Sequence, residues 1–295
     1  MRGAKSERAI ELAVERDGTV LRGERCVIAC SGGPDSVALA AVLCATAPTL
    51  DLQLTIAHVN HGVRASAWQD EAVVLRVAAA LGLAVRIAAL PGERKDEAGL
   101  REARYSALAE IAVELGADVI ATGHSAEDQT ETVMLALFRG TGPDGIAGIP
   151  ARRSLSPGID LIRPLLRFDH ASLAGYCRLR ALPYALDPTN ADTAYRRNAV
   201  RAALEALRPA FPGLDAAVSR TAGLLGAERS GEDRAGLRLR VRAALRENDA
   251  LRDVDFTHVE AAVRALESGG SGRFFMSAGV EMMIEGGRLA VRKRS

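Results

Sequence analysis

The chain reads as an α/β protein: a doubly wound parallel sheet followed by a smaller, mainly helical C-terminal domain. Two observations predict this. Short continuous apolar runs recur at residues 26–30, 52–57, 83–88 and 117–121. Each is followed by a segment of helical character, at 36–46, 67–81, 97–115 and 125–138. Continuous apolar runs belong to strands buried on both faces, and alternation with helices is what a covered parallel sheet requires.

In order along the chain, a leading helix over residues 4–16 rests on Ile10, Leu12, Ala13 and Val14 set among charges. The four strand–helix units follow. After Gly140 the pattern changes: the glycine-rich segment Gly140-Thr141-Gly142-Pro143-Asp144-Gly145 reads as a loop, 161–166 as another strand and 170–180 as a helix. Pro209 and Pro212-Gly213 suggest a boundary, which divides the chain into a larger α/β domain at 1–212 and a small domain at 213–295. Helices are expected there at 215–229, 233–247 and 256–267, and a short β hairpin closes the chain through strand-like pieces at 274–276, 282–284 and 289–291.

Composition removes several function classes. With 48% hydrophobic residues, 25% charged residues and a formal net charge of +1, nothing marks a globally basic nucleic-acid binder, so any such surface is a local patch. The lysines are Lys5, Lys95 and Lys293 and every other basic residue is arginine, so arginines and backbone amides must do most of any phosphate binding. Cys26, Cys30, Cys44 and Cys177 form no C-x-x-C pair, which supports neither a disulfide framework nor a zinc or iron–sulfur site. Residues 1–18 are charged throughout, unlike a signal peptide, and no apolar run approaches the ~20 residues a membrane span needs. A cytoplasmic protein is expected.

Sheets of this kind bind ligands at the carboxyl ends of their strands. The polar segments at those ends are 31–36, 58–64 and 123–131, and the fold predicts that they converge. Ser31-Gly32-Gly33-Pro34-Asp35-Ser36 follows a strand and opens a helix, where consecutive amides and the helix dipole make an anion site. Gly32 and Gly33 permit close backbone approach, and Ser31 and Ser36 add hydroxyl donors. No lysine follows, so this is not the G-x-x-x-x-G-K-[ST] loop. Asp35 beside phosphates repels them unless a divalent cation bridges the two, which points to Mg²⁺; the alternative is a carboxylate stabilising the helix start.

The loop resembles that of the PP-loop ATP pyrophosphatases, enzymes of the adenine-nucleotide alpha-hydrolase-like fold that cleave ATP between its α and β phosphates. Within that superfamily the chain is similar to the tRNA(Ile)-lysidine synthetases. The matching stretches are His58-Val59-Asn60-His61-Gly62-Val63-Arg64, Arg101-Glu102-Ala103-Arg104-Tyr105, and Ala121-Thr122-Gly123-His124 leading to Asp128-Gln129-Thr130-Glu131-Thr132. Further on come Arg139-Gly140-Thr141-Gly142, Arg163-Pro164-Leu165-Leu166, Asp187-Pro188-Thr189-Asn190 and Tyr195-Arg196-Arg197-Asn198. The resemblance implies ligation of free lysine to C2 of the wobble cytidine of tRNA(Ile), anticodon CAU, through an adenylated intermediate, with AMP and pyrophosphate released. A PP-loop tRNA thiolase and an ammonia-using adenylating synthetase are the alternatives.

Each remaining motif has a functional and a plain reading. Asp128, Glu131 and Thr132 share one helical face, suited to an ammonium or a metal; the resemblance implies the lysine substrate, whereas Ser125 and Asp128 also have capping-box spacing. Glu127 stands where the family usually has aspartate. His124 joins the same loop. His58, Asn60 and His61 are expected at the nucleotide, through backbone or adenine contacts, since no third metal ligand lies near the two histidines. Arg104 is either a surface arginine or, by the resemblance, a contact to phosphate or the activated base. Arg197 and Arg201 lie four apart on one helical face, placed for phosphate. Arg234, Arg238, Arg242 and Arg246 make a stripe that is either a solvated face or an RNA-backbone site.

Overall fold

The computed structural model describes residues 2–60, 67–90, 97–141, 143–185, 196–230, 241, 244–245, 256–267, 272–276, 280–285 and 288–293. By compactness the chain divides into two units, Met1–Ala222 and Gly223–Ser295.

In the first unit β1 (Arg25–Ala29) is central, pairing in parallel with β2 (Gln53–Asn60) on one side and β4 (Val119–Thr122) on the other. β2 carries β3 (Ala84–Ala89) and β4 carries β6 (Ile159–Ile162), both parallel; β5 (Arg152–Ser156) lies antiparallel at the edge, giving the order β3-β2-β1-β4-β6-β5. The chain winds outward through α2 (Pro34–Leu50) and α3 (Ala67–Leu81), then returns past β1 through α4 (Glu97–Leu115) to β4. Strand order therefore reverses between β1 and β4, and a crevice opens there at the carboxyl ends.

Alternate residues of β1 feed opposite faces, as a pleated strand requires. Cys26 and Ile28 join a core with α1 (Arg2–Arg16), α2, α3 and α7 (His170–Leu179), while Val27 joins Tyr105, Leu108 and Ile111 of α4. α2, α3 and α7 thus cover one face and α4 the other. Full burial of each such Ile, Leu or Val stabilises the fold by about 1.5–3 kcal/mol. At the carboxyl ends lie α5 (Ala126–Phe138), the short α6 (Pro143–Ile146) and α8 (Arg196–Leu207); α9 (Leu214–Ser230) follows.

Three boundaries differ from those expected of the sequence. β5, Arg-Arg-Ser-Leu-Ser, has no apolar run to betray it, because an edge strand with half-exposed residues needs none. The strand expected at 161–166 is Ile159–Ile162; Pro164 has no amide for the ladder, and residues 163–166 turn instead. β2 runs on to Asn60, so His58 sits within the strand rather than the loop after it.

In the second unit α10 (Phe256–Glu267) packs on an antiparallel sheet of β7 (Gly272–Met276), β8 (Val280–Glu285) and β9 (Arg288–Lys293) around Val259, Val263, Met282 and Ile284. The expected hairpin is thus part of a three-stranded sheet. Of the helix expected at 233–247, only Val241, Ala244 and Leu245 are among the described residues, and all three are helical. No described helix is long and apolar enough to cross a membrane.

Candidate nucleotide and substrate site

The loop from β1 to α2 is tied by its own hydroxyls. Ser36 Oγ donates to the Gly33 carbonyl (2.9 Å), accepts from the Ser31 amide (3.1 Å) and meets Ser31 Oγ at 3.2 Å. Gly32 adopts φ +92°, a left-handed conformation that favours glycine, and a Cβ there would lie 3.2 Å from the Asp70 carbonyl oxygen. Gly33 caps α2 in extended conformation without a side-chain hydrogen bond, and Pro34 opens the helix. The amides of such a helix start, with the dipole behind them, suit an anion. Below the loop, buried His58 donates through Nδ1–H to the Cys30 carbonyl (2.8 Å). Asn60 ends β2, its carbonyl accepting the Leu90 amide at 2.8 Å. His61 lies outside the described residues.

The β4–α5 loop meets this cradle directly. A Cβ on Gly123 would fall 2.9 Å from the Asp35 carbonyl oxygen and 3.0 Å from the Ser36 amide nitrogen, so the two loops touch backbone to backbone. His124 follows. Thr122 Oγ1 donates to the Ile162 carbonyl (3.4 Å) and so accepts from His124 Nδ1–H at 3.0 Å, leaving Nε2 as an acceptor. Burial, helped by the charges of Arg163, Arg101 and Arg104 and opposed by Asp128, holds the imidazole neutral, with its pKa down to about 3.

α5 opens with a complete capping box. Ser125 Oγ accepts from the Asp128 amide, and Asp128 Oδ2 accepts from the Ser125 amide at 3.0 Å. Asp128 therefore does the plain structural job that its spacing allows, and also faces Arg197, whose Nη2 lies 2.7 Å from Oδ1. Burial raises its pKa, but neighbouring positive groups including Arg197 and the Ser125 amide outweigh that and keep the carboxyl ionised. Glu131 is fully buried, with Arg197 Nε at 2.7 Å and Arg201 Nε at 2.7 Å on its two oxygens. The shared face of Arg197 and Arg201 is thus turned to carboxylates. Thr132 bonds back to the Asp128 carbonyl (2.8 Å).

One residue of the site carries no sequence motif. His170 Nδ1 lies 2.8 Å from Asp35 Oδ2, and its backbone amide donates to both oxygens of Glu127 at 3.0 and 3.1 Å. Burial works to lower its pKa, but the hydrogen bond and charge of Asp35, with Glu127 and Asp128, lift it to about 9, so an imidazolium stands beside the loop. A cation at the first turn of a helix is disfavoured by the dipole, and only the facing carboxylates offset that. The signal available in the sequence is position: His170 opens the helix after β6, at the carboxyl edge. Asp35 Oδ1, by contrast, is buried with no hydrogen-bond partner. Among the described residues no three His, Cys, Asp or Glu side chains form a metal cluster.

Arg104 stands over the Tyr105 ring on α4, 5.5 Å from its centroid. Arg234, Arg238, Arg242 and Arg246, and residues 186–195, lie outside the described residues.

An amide-lined anion cradle at the reversal point of a parallel sheet, faced by acidic side chains, defines a nucleotide-binding α/β protein. Comparison with known proteins narrows this. Residues 4–207 match the PP-loop domain family. The chain is 43% identical over 215 residues to a tRNA(Ile)-lysidine synthase of Salinispora tropica, covering 70% of this chain and 64% of that protein. It is 42% identical over 234 residues to that of Salinispora arenicola, covering 76% and 69%. It spans only 40% of the related protein of Symbiobacterium thermophilum. Among solved structures, a U34-tRNA thiolase of Methanococcus maripaludis superposes with a TM-score of 0.63 at 18% identity, over 75% of this chain and 79% of that one, a likeness of fold. The chain belongs to the PP-loop family and, within it, to the tRNA(Ile)-lysidine synthases.

Proposed function

We propose that the chain ligates free L-lysine to C2 of the wobble cytidine of tRNA(Ile), with ATP as the activating substrate. The reaction proceeds in two steps. Cytidine O2 attacks the α-phosphorus of ATP and pyrophosphate leaves; the lysine ε-amine then adds to C2 and AMP departs. Adenylation is needed because the cytidine oxygen is a poor leaving group until it carries the phosphoryl group.

The observation that carries this reading is the direct contact between the phosphate loop and the α5 loop, through Gly123 against Asp35, in a chain over 40% identical to proteins of that name. The start of α2 binds the departing pyrophosphate, with Ser31 and Ser36 holding the loop in shape around it, and the His170 imidazolium adds the positive charge that a lysine supplies in other phosphate loops. The unpartnered Asp35 Oδ1 fits Mg²⁺, which when bound with the phosphates neutralises their charge. Asp128 and Glu131 hold the amine substrate, with Arg197 bonded to both carboxylates and Arg201 to Glu131. His124, neutral with Nε2 free to accept, orients a donor rather than removing a proton, because a pKa near 3 is far from that of an efficient base at neutral pH. Arg104 is assigned to the activated base or its phosphate.

The thiolase alternative requires reactive thiolates. Burial raises the thiols of Cys26 and Cys177 to about 12 and raises Cys30 and Cys44 as well, which disfavours it. Incubation with ATP, lysine and tRNA(Ile), each omitted in turn, tests the proposal. AMP and lysidine should form only in the complete mixture; AMP release that ignores tRNA would overturn it.

A further inference from the structure

On the α4 side of the sheet four arginines gather around one tyrosine. Tyr105 is 9% exposed and Arg163, just after β6, is 2% exposed. The guanidinium carbons of Arg101, Arg104 and Arg153 stand 5.5, 5.5 and 5.8 Å from the centroid of the Tyr105 ring. Arg163 donates to the Pro150 carbonyl through Nη1 at 2.6 Å, but its Nε has no partner. The Tyr105 hydroxyl faces this guanidinium without closing a hydrogen bond of normal geometry, and is likewise buried and unsatisfied. Among the described residues no carboxylate forms an ion pair with any of the four arginines.

Such an arrangement is costly as it stands. Four like charges share a partly desolvated volume, and the cation–π contacts to one ring offset only part of their repulsion. The two buried polar atoms without partners add a desolvation cost. An anion with several acceptor oxygens relieves both costs at once, and the planar guanidinium fork matches phosphate. The cluster is also close to the crevice: the charges of Arg163, Arg101 and Arg104 all act on His124.

We infer that Arg101 and Arg153, beside Arg104 and over the buried Arg163, bind a backbone phosphate of the RNA substrate next to the wobble nucleotide. The inference rests on the proposed ligation, and it assigns to α4 and the β5–β6 edge a share of the RNA grip independent of the second unit.

The test removes charge at exposed Arg101 and half-buried Arg153, which leaves the buried residues untouched. Binding of tRNA(Ile) is measured across a salt series for the wild type, an Arg101→Gln, Arg153→Gln double variant, and the matching Arg→Lys double variant; ATP affinity is measured for each. The Gln variant should lower the slope of log affinity against log salt by about 0.7–0.9 for each phosphate no longer neutralised. The Lys variant should recover most of that slope, and ATP affinity should not move. An unchanged slope in the Gln variant overturns the inference. So does a fall in ATP affinity with tRNA binding intact, which would assign the cluster to the nucleotide's own phosphates. A wild type that forms lysidine while the Gln variant binds tRNA normally removes this inference alone; a wild type that binds no tRNA removes the proposed function with it.

Discussion

His170 and Asp35 form a pair in which each explains the other's surroundings. The imidazolium keeps one Asp35 oxygen engaged and leaves the second buried and unpartnered. Its pKa rises on folding from 6.5 to about 9, so the folded state binds the proton more tightly than the unfolded chain. The resulting stability is complete below about pH 6.5 and is lost as pH rises through about 9. Thermal melts of wild type and His170→Gln should therefore differ most at the acid end of that window and converge above it; a constant difference would exclude the pair as the source. Asp35→Asn should abolish AMP formation, with circular dichroism unchanged. Near-normal turnover by a folded variant would remove Asp35 from the phosphates. The two partners are not equally legible in the sequence. Asp35 announces itself by sitting in a glycine loop, whereas His170 lies 135 residues further on (170 − 35) in a stretch without chemical motif, and only the fold brings them together. The Tyr105 cluster is half legible: the Arg-x-x-Arg-Tyr pattern stands out, but Arg153 comes from an edge strand that polar sequence conceals.

At the scale of elements, sequence is most informative where a single physical cause decides. Double-sided burial at the centre of the sheet demands apolar residues in succession, and those of β1 (Cys26–Ala29) and β4 (Val119–Ala121) are visible. α5 shows a different limit. Its Ser125–Asp128 spacing allows a cap or a ligand site, and the cap is formed without excluding the ligand role. Asp128→Asn should raise the lysine requirement more than the ATP requirement; reduced thermal stability with lysine dependence unchanged would leave only the cap. Glu131→Gln is expected to be more damaging to the fold, because Arg197 and Arg201 lose a fully buried counter-charge. Removing one partner of a buried pair costs about 3–5 kcal/mol, measurable by chemical denaturation. Gly123→Ala tests the loop contact. The added methyl meets backbone, which cannot rotate away, and displacement should cost about 1–3 kcal/mol and most of the ATP-dependent activity. Wild-type activity in that variant would show that the loops move independently.

For the molecule as a whole, a net charge of +1 and an almost lysine-free composition leave recognition of an anionic substrate to a few concentrated arginine groups. Thiol chemistry is closed off across the first unit. Cys26, Cys30 and Cys177 are buried, and only Cys44 is partly accessible. A thiol reagent should modify at most Cys44 quickly in the native protein and all four cysteines after denaturation; rapid native reaction of the others would reopen the thiolase reading. The contact of Gly123 on Asp35, reinforced by His170 reaching from Asp35 to Glu127, makes the nucleotide cradle and the acidic helix one mechanical block. If nucleotide and amine bind as proposed, both are seated on that block, and any coupling between them is reciprocal. By whatever factor bound nucleotide changes the affinity for the amine, the amine must change the affinity for nucleotide by the same factor.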